Sequence, residues 1–250
     1  MNQLFETFAW LLDPAHYAGP DAIQVRVGEQ VEYTLLTLLL ASVIALPAGL
    51  AIGHTGRGRT VGVQVPAVLR ALPTLGLVIL LALMVGLGLL APLIALVILA
   101  IPPILAGAYA GLESVDRETI DAARALGMTE WQVLWKVEIP LSLSLITGGL
   151  RSAALQAVAT WTIAAILPLG GLGRYIFDAL PVQQYPKMLA GSMLVIALAL
   201  VTDALFALLQ KVVTPPGVRA GRPSPARAKT THSHARAAPF RHASFIRNER

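Results

Sequence analysis

The chain has no cysteine, which removes disulfide frameworks, thiolate catalysis, Cys-ligated zinc and iron–sulfur clusters together and leaves the redox compartment unread. Charge is nearly as scarce. Only 13% of the 250 residues are Asp, Glu, Lys or Arg, against roughly 25% in soluble globular chains. With 56% of residues apolar, a water-soluble single domain does not fit. The sequence also lacks a Gly-x4-Gly-Lys-[Ser/Thr] loop, so it brings no phosphate-cradling nucleotide site of that class. The net charge of +5 suggests an anionic partner until it is partitioned: residues 211–250 hold nine Lys and Arg and one acid, whereas residues 1–210 hold ten and thirteen. The basicity belongs to a tail and does not indicate a nucleic-acid partner.

What is abundant is apolar run length. Tyr33 to Gly53 carries no charge, and a bilayer crossing takes roughly 20 helical residues. Thr60 to Leu112 is 53 residues with the single charge Arg70, too long for one crossing and suited to two. Gly86-Leu87-Gly88 with Pro92 is the natural reversal between them. Ile139 to Gly173 holds only Arg151, and Met188 to Gln210 only Asp203. The expected architecture is an all-α polytopic membrane protein with about five spans, near 33–53, 61–84, 91–112, 140–166 and 188–210. A polar hairpin, 113–139, separates the third span from the fourth. Residues 1–32 form an N-terminal segment outside the membrane domain, and residues 211–250 a disordered basic tail.

Lys and Arg in short loops favour the cytoplasm. With the N-terminus outside and the C-terminus inside, the inner segments hold fourteen such residues and the outer ones three, Arg26, Arg174 and Lys187. The expected location is therefore the cytoplasmic membrane, in that orientation. Met1 to Leu12 carries Glu6 and no basic residue, unlike a signal peptide, and reads as an interfacial helix on the outer face. From Pro215 on, the Pro, Ser, Arg, Ala and His composition cannot bury enough surface to offset ordering entropy. His232, His234 and His242 in that tail have nothing to fix a metal-binding geometry, and no metal site is expected.

Glu113 to Glu138 gathers six acids and three bases in an otherwise apolar chain. Asp116 can cap a first short helix that Gly127 ends in the left-handed conformation. Thr129 with Gln132 three residues on forms a capping box for a second, Glu130 to Glu138, which Pro140 prevents from continuing unchanged. Ala122 and Ala123 leave a shallow surface on the first, while Trp131, Leu134 and Trp135 put a large apolar stripe on the second. Such a hairpin suits docking into another protein's groove, or lying on lipid headgroups. Composition does not choose between them.

The run Asp121-Ala122-Ala123-Arg124-Ala125-Leu126-Gly127, nine residues, then Val137-Glu138-Ile139-Pro140 resembles the loop of bacterial ABC importer membrane subunits, whose pattern is Glu-Ala-Ala, three residues, Gly, nine residues, Ile, any residue, Leu-Pro. Both spacings match, with Asp121, Val137 and Ile139 as conservative departures. Arg70-Ala71-Leu72-Pro73-Thr74-Leu75, Ala122 to Thr129 and Gly170-Gly171-Leu172-Gly173 are similar to the subgroup importing glycine betaine, choline and carnitine. The resemblance runs from about Tyr33 to Leu209.

The resemblance implies a type I ABC importer permease fold and a transport subunit, not an enzyme. The hairpin would be the coupling helix seated in a cleft of a cytoplasmic ATPase. Asp121, Ala122, Ala123 and Gly127 would form its docking face and turn, and Ile139 and Pro140 its link to the fourth span. No cofactor would be bound by this chain, and ATP and Mg²⁺ would sit on the ATPase. The further partners implied are a second permease subunit, identical or paralogous, an extracytoplasmic substrate-binding protein, and membrane lipid.

Five helices enclose little by themselves, so a substrate route is expected between two subunits. Arg70 and Arg151 are the intramembrane cations. Both lie within about 8 to 12 residues of the cytoplasmic end, where snorkelling to lipid phosphate competes with a place in a water-filled cavity. Fixed positive charge repels a quaternary ammonium ion, which points them to gating or structure. Thr74, Gln156, Thr160 and Trp161 complete the candidate pathway set. The Thr and Gln side chains serve equally in helix-to-helix hydrogen bonds, and Trp161 as packing or as a π face for a cation. Asp203 can pair with either arginine. Gly49 with Gly53 and Gly107 with Gly111 favour close helix contact. A membrane enzyme would need more carboxylates or histidines in the spans than Asp203 alone. A secondary transporter would show coupling-ion carboxylates or inverted repeats and would leave the hairpin unexplained. Within the importers, methionine or another small solute is the alternative cargo.

Overall fold

The structure, a computed structural model, describes residues 2–214. The tail from Pro215 onward, with the expected disorder and its histidines, lies outside the described residues. Within them every regular element is a helix.

Helix α1 (Asn2–Leu12) stops at Asp13-Pro14, where Asp13 accepts the Ala15 N–H (2.9 Å) and caps one 3₁₀ turn, Pro14–Tyr17. Trp10 and Leu11 of α1 pack with Leu194, Val195 and Leu198 around buried Ile23, Leu172 and Tyr175, so this helix rests against the bundle. Helix α2 (Ile23–Thr55) begins ten residues before the expected first span. Span counting stops at Glu32, but a charge on an exposed face does not end a helix. At 33 residues it is about 50 Å long, more than the roughly 30 Å of hydrocarbon. Gly56 ends it at φ +66°, with its N–H on the Ile52 carbonyl, a left-handed cap.

The second expected span is not one helix. Residues 59–85 form α3 (Arg59–Arg70) and α4 (Thr74–Val85), broken at Ala71-Leu72-Pro73. Pro73 has no N–H to donate, and its ring pushes Leu72 out of the α region. Both halves nevertheless run along one neighbour, α5 (Leu90–Glu113). Arg59 meets Tyr109 and Glu113 near the end of α5, whereas Val78 of α4 joins Leu93 and Leu96 near its start. The pair thus runs along α5 as one interrupted helix. The reversal falls at Gly86 (φ +100°) to Leu89, as expected, but Pro92 lies in the first turn of α5, where its missing N–H costs nothing.

The hairpin follows: α6 (Arg117–Ala125), α7 (Glu130–Val133), a π-helical turn over Leu134–Glu138, and α8 (Ile139–Ala164). From Glu130 the axis is unbroken to Ala164. Pro140 is absorbed because the π turn, in which the Ile139 N–H reaches the Leu134 carbonyl, widens the backbone where its ring would otherwise strike the preceding turn. After α9 (Gly173–Ala179), helix α10 (Tyr185–Val213) closes the domain and runs three residues past the expected end at Gln210.

Among the described residues four helices, α2, α5, α8 with its lead-in, and α10, are long and apolar enough to cross a membrane. Helix α4 is a fifth, shorter apolar helix. Lipid is as apolar as leucine, so close packing and interhelical hydrogen bonds must hold such helices together. Helix α5 sits between α2 and α8. A Cβ on Gly49 of α2 would lie 2.7 Å from the Ala108 Cβ, and one on Gly107 of α5 would lie 2.7 Å from the Gly149 Cα of α8. Three apolar clusters run along this contact, from Trp161 and Leu96 through Ile104 and Ala153 to Leu112 and Leu134.

Candidate functional site

The hairpin is built from local interactions at each corner. The Asp116 carboxylate accepts the Glu118 N–H (3.1 Å) at the start of α6. Thr129 Oγ1 accepts the Gln132 N–H, while Gln132 Oε1 accepts the Thr129 N–H (3.0 Å), closing the capping box. Between them Gly127 takes φ +82°. Its N–H bonds the Arg124 carbonyl (2.9 Å) and the Met128 N–H the Ala123 carbonyl (3.3 Å), which satisfies the last carbonyls of α6.

The two faces of the hairpin differ in role. Leu126, Trp131 and Trp135 are 85%, 68% and 53% exposed, and the two indoles meet edge to face at 5.7 Å. Asp121 and Ala122 are exposed, whereas Ala123 is buried. The outward surface is therefore an apolar ridge beside small residues and a carboxylate. Inward, Leu134 packs with Leu112 and Ile146, with Ile139 against that cluster. Pro140 is half-buried at the start of α8.

Arg124 joins the two arms by two bonds to Glu130, both 2.9 Å, and reaches Asp121 at 3.4 Å. Those hydrogen bonds hold the Glu130 carboxyl below its ordinary range and raise the guanidinium further. Behind α6 lies a cavity of about 240 Å³, lined by the ends of α2, α3 and α5. Two residues not expected from the sequence meet beside it: His54 Nδ1 lies 2.5 Å from Glu138 Oε2, and its Nε2 lies 3.5 Å from Glu130 Oε2.

At the other end of the bundle the Gly170-Gly171-Leu172-Gly173 loop is clamped by α2. Gly171 N–H bonds Glu29 Oε2 (2.8 Å), Leu172 N–H bonds Gln30 Oε1 (3.2 Å), and the Tyr33 hydroxyl donates to the Leu169 carbonyl (2.8 Å). Gln30 also donates to the Val158 carbonyl at 2.9 Å. Gly171 has φ +78°, and a Cβ on it would lie 2.6 Å from Gln30 Oε1, so the loop needs glycine twice over. Glu29, Gln30 and Tyr33 escaped the sequence reading. Their one signal is a polar face just before the first span. The Tyr175 hydroxyl donates to the Asp21 carbonyl (2.6 Å), and burial pushes it up to about 12, so it stays a donor at neutral pH. A pocket lined by Trp10, His16, Asp21 and Tyr175 opens here. Its Tyr175 ring already faces a cation, the Lys187 ammonium, 5.9 Å from the centroid.

The candidate pathway residues fall in different places. Arg70 is exposed at the end of α3, and Thr74, half-buried, starts α4, so the two flank the helix break. Arg151 makes a two-pronged pair with Asp203 of α10, both bonds 2.6 Å, which settles which arginine that carboxylate meets. Gln156 donates to the Leu99 carbonyl (3.2 Å), and Thr160 bonds back to its own helix. Trp161 is 3% exposed, and its indole N–H donates to Thr37 Oγ1 (2.9 Å). Thr160 and Trp161 therefore lie inside the subunit, not on a surface facing another.

Comparison with known proteins places this geometry. Residues 41–215 match the family model described as the binding-protein-dependent transport system inner membrane component. The chain is 32% identical over 198 residues to a carnitine transport permease protein of Listeria monocytogenes, spanning 79% of this chain and 91% of that one. It is 31% identical over 219 residues to an osmoprotectant import permease protein of Salmonella typhimurium, spanning 86% and 100%. Among solved structures, an inward-facing form of the MetNI methionine ABC transporter superposes with a TM-score of 0.68 at 23% identity, over 76% of this chain and 95% of that one. At that identity the likeness concerns the fold.

Proposed function

The chain belongs to the family of binding-protein-dependent transport system inner membrane components, and from that premise we propose that it is the membrane-spanning permease subunit of an ATP-driven importer for a quaternary ammonium osmoprotectant, such as glycine betaine, choline or carnitine. It is a multi-pass protein of the inner membrane. The observation that carries the coupling part of the reading is the hairpin: a capped helix–glycine–helix unit with an exposed apolar ridge, continuous with the membrane helix α8.

The proposed assembly has this chain, a second permease subunit, a cytoplasmic ATPase that holds ATP and Mg²⁺, and an extracytoplasmic binding protein. The N-terminus lies outside and the hairpin inside. Asp121, Ala122 and Gly127 present the docking surface, Ala123 packs it on the bundle, and Ile139 and Pro140 carry its motion into α8. The chain itself performs no hydrolysis. Arg70 and Thr74, at the break in the second crossing, are the candidates left facing outward toward a pathway between subunits.

Cargo identity is supported by the named activities of the relatives, carnitine and osmoprotectant import, whereas the methionine transporter is matched in fold alone. Uptake of radiolabelled glycine betaine, choline, carnitine and methionine, in cells with and without the subunit, tests this. Uptake of at least one quaternary ammonium solute should depend on the chain. Dependence for methionine only, or for none of the four, refutes the cargo assignment.

A further inference from the structure

Helix α6, the arm that would meet the ATPase, does not rest flush on the bundle. Buried Ala123 seats one side of it, but the 240 Å³ cavity separates the rest from the ends of α2, α3 and α5, so packing does not carry its displacement across that gap. A chain of polar contacts does cross. It runs from Asp121 through Arg124 to Glu130 of α7, and from Glu130 to His54 in the last turn of α2. The other nitrogen of the same ring meets Glu138, which is 3% exposed and sits in the π turn leading into α8. Arg59 flanks the cavity on the α3 side, tied to Glu113 and to the Tyr109 hydroxyl (2.9 Å). A carboxylate as enclosed as Glu138 requires a fixed partner, and His54 is that partner. Its ring is thus the point at which the docking arm, the start of α8 and the end of α2 meet.

We propose that His54 and Glu138 are positioning residues for coupling, through which movement of the ATPase-docking hairpin is delivered to α2. This rests on the reading of the chain as an importer permease. The glycine contacts of α2 with α5 and of α5 with α8 leave those helices little freedom to slide separately, so a displacement given to α2 at His54 moves the block.

The test uses the complete importer, permease, ATPase and binding protein, reconstituted in liposomes with whichever radiolabelled osmoprotectant the unaltered protein takes up. Solute moved per ATP hydrolysed is measured for His54→Gln, Glu138→Gln and the double variant, with the ATPase retained on purification as the control for folding and docking. Each single variant should retain the ATPase and lower solute per ATP by about tenfold, the scale of one hydrogen bond to a charged group. The double variant should be no worse than the poorer single one, as for two residues acting through one contact. Unchanged solute per ATP in both single variants, additive losses in the double, or loss of the ATPase from both single variants would each overturn the proposal. If the unaltered complex takes up no quaternary ammonium solute, the function assignment fails instead.

Discussion

Replacing Gly127 by valine separates backbone conformation from surface contact at the hairpin proposed to dock the ATPase. A Cβ built there meets no atom within 4 Å, so no clash contributes. What valine meets is φ +82°, a region that costs an L-residue roughly 1–2 kcal/mol, with β-branched side chains worst placed. Two hydrogen bonds depend on that torsion, Gly127 N–H to the Arg124 carbonyl and Met128 N–H to the Ala123 carbonyl. If the strain is relieved by opening the turn, α6 leaves its alignment with α7 and ATPase binding should weaken about 5- to 30-fold, the equivalent of that energy. Asparagine tolerates the left-handed region, and Gly127→Asn should stay within a few-fold of the unaltered protein. The measurement is the affinity of purified ATPase for permease held in lipid nanodiscs. Equal losses for valine and asparagine would show that any side chain obstructs docking. No loss for valine would show that the turn does not set the docking geometry.

Two further predictions concern the bundle. A Cβ on Gly149 would lie 2.7 Å from the Pro103 carbonyl oxygen, so Gly149→Leu should force α5 and α8 apart at a cost of roughly 1–3 kcal/mol, read as a lower thermal midpoint of the detergent-purified permease; an unchanged midpoint would contradict the close crossing. Arg151→Asp and Asp203→Arg should each reduce the amount of folded permease in the membrane, and the double swap should restore it. A swap no better than either single change would mean that the pair is not needed to hold α8 to α10.

The legible parts of this chain are those written in neighbouring residues. Asp116, Gly127, Thr129 and Gln132 act within four residues of their partners, so the hairpin's corners could be placed from sequence. Run length located the long apolar helices because hydropathy sums over one segment. It fails at Ala71-Leu72-Pro73, where the chain stays apolar while the helix stops; the proline was visible, but a charge-free run hid its effect. It fails again at α2, whose first ten residues mix Ile23, Val25, Val27 and Val31 with charged and amide side chains yet are helical. Arg151 and Asp203 were each conspicuous as charges in apolar helices, but their pairing spans 52 residues. His54 with Glu138 spans 84, and Gln30 with Leu172 spans 142. One sequence carries no record of such pairs.

Those long-range contacts also decide which parts of the permease can move together. At the end remote from the hairpin, α2 is held to α8 and its following loop by Glu29, Gln30 and Tyr33, and in the interior by the Trp161 to Thr37 bond. Interhelical bonds in membranes average only about 0.6 kcal/mol each, so no one of them locks the bundle, but they act beside glycine crossings that leave no gap to shear into. Helices α2, α5 and α8 are therefore packed against one another along their length. The α3–α4 pair is different, because Ala71 and Leu72 bond only back to Val68 and Leu69 while Pro73 accepts from Leu77, so these bonds leave a break between α3 and α4. On the coupling proposed for His54, a displacement entering there passes into this packed block, and the break between α3 and α4 is where the chain beside it can bend. That break lies next to Arg70 and Thr74, the residues nominated for the pathway on grounds of position alone.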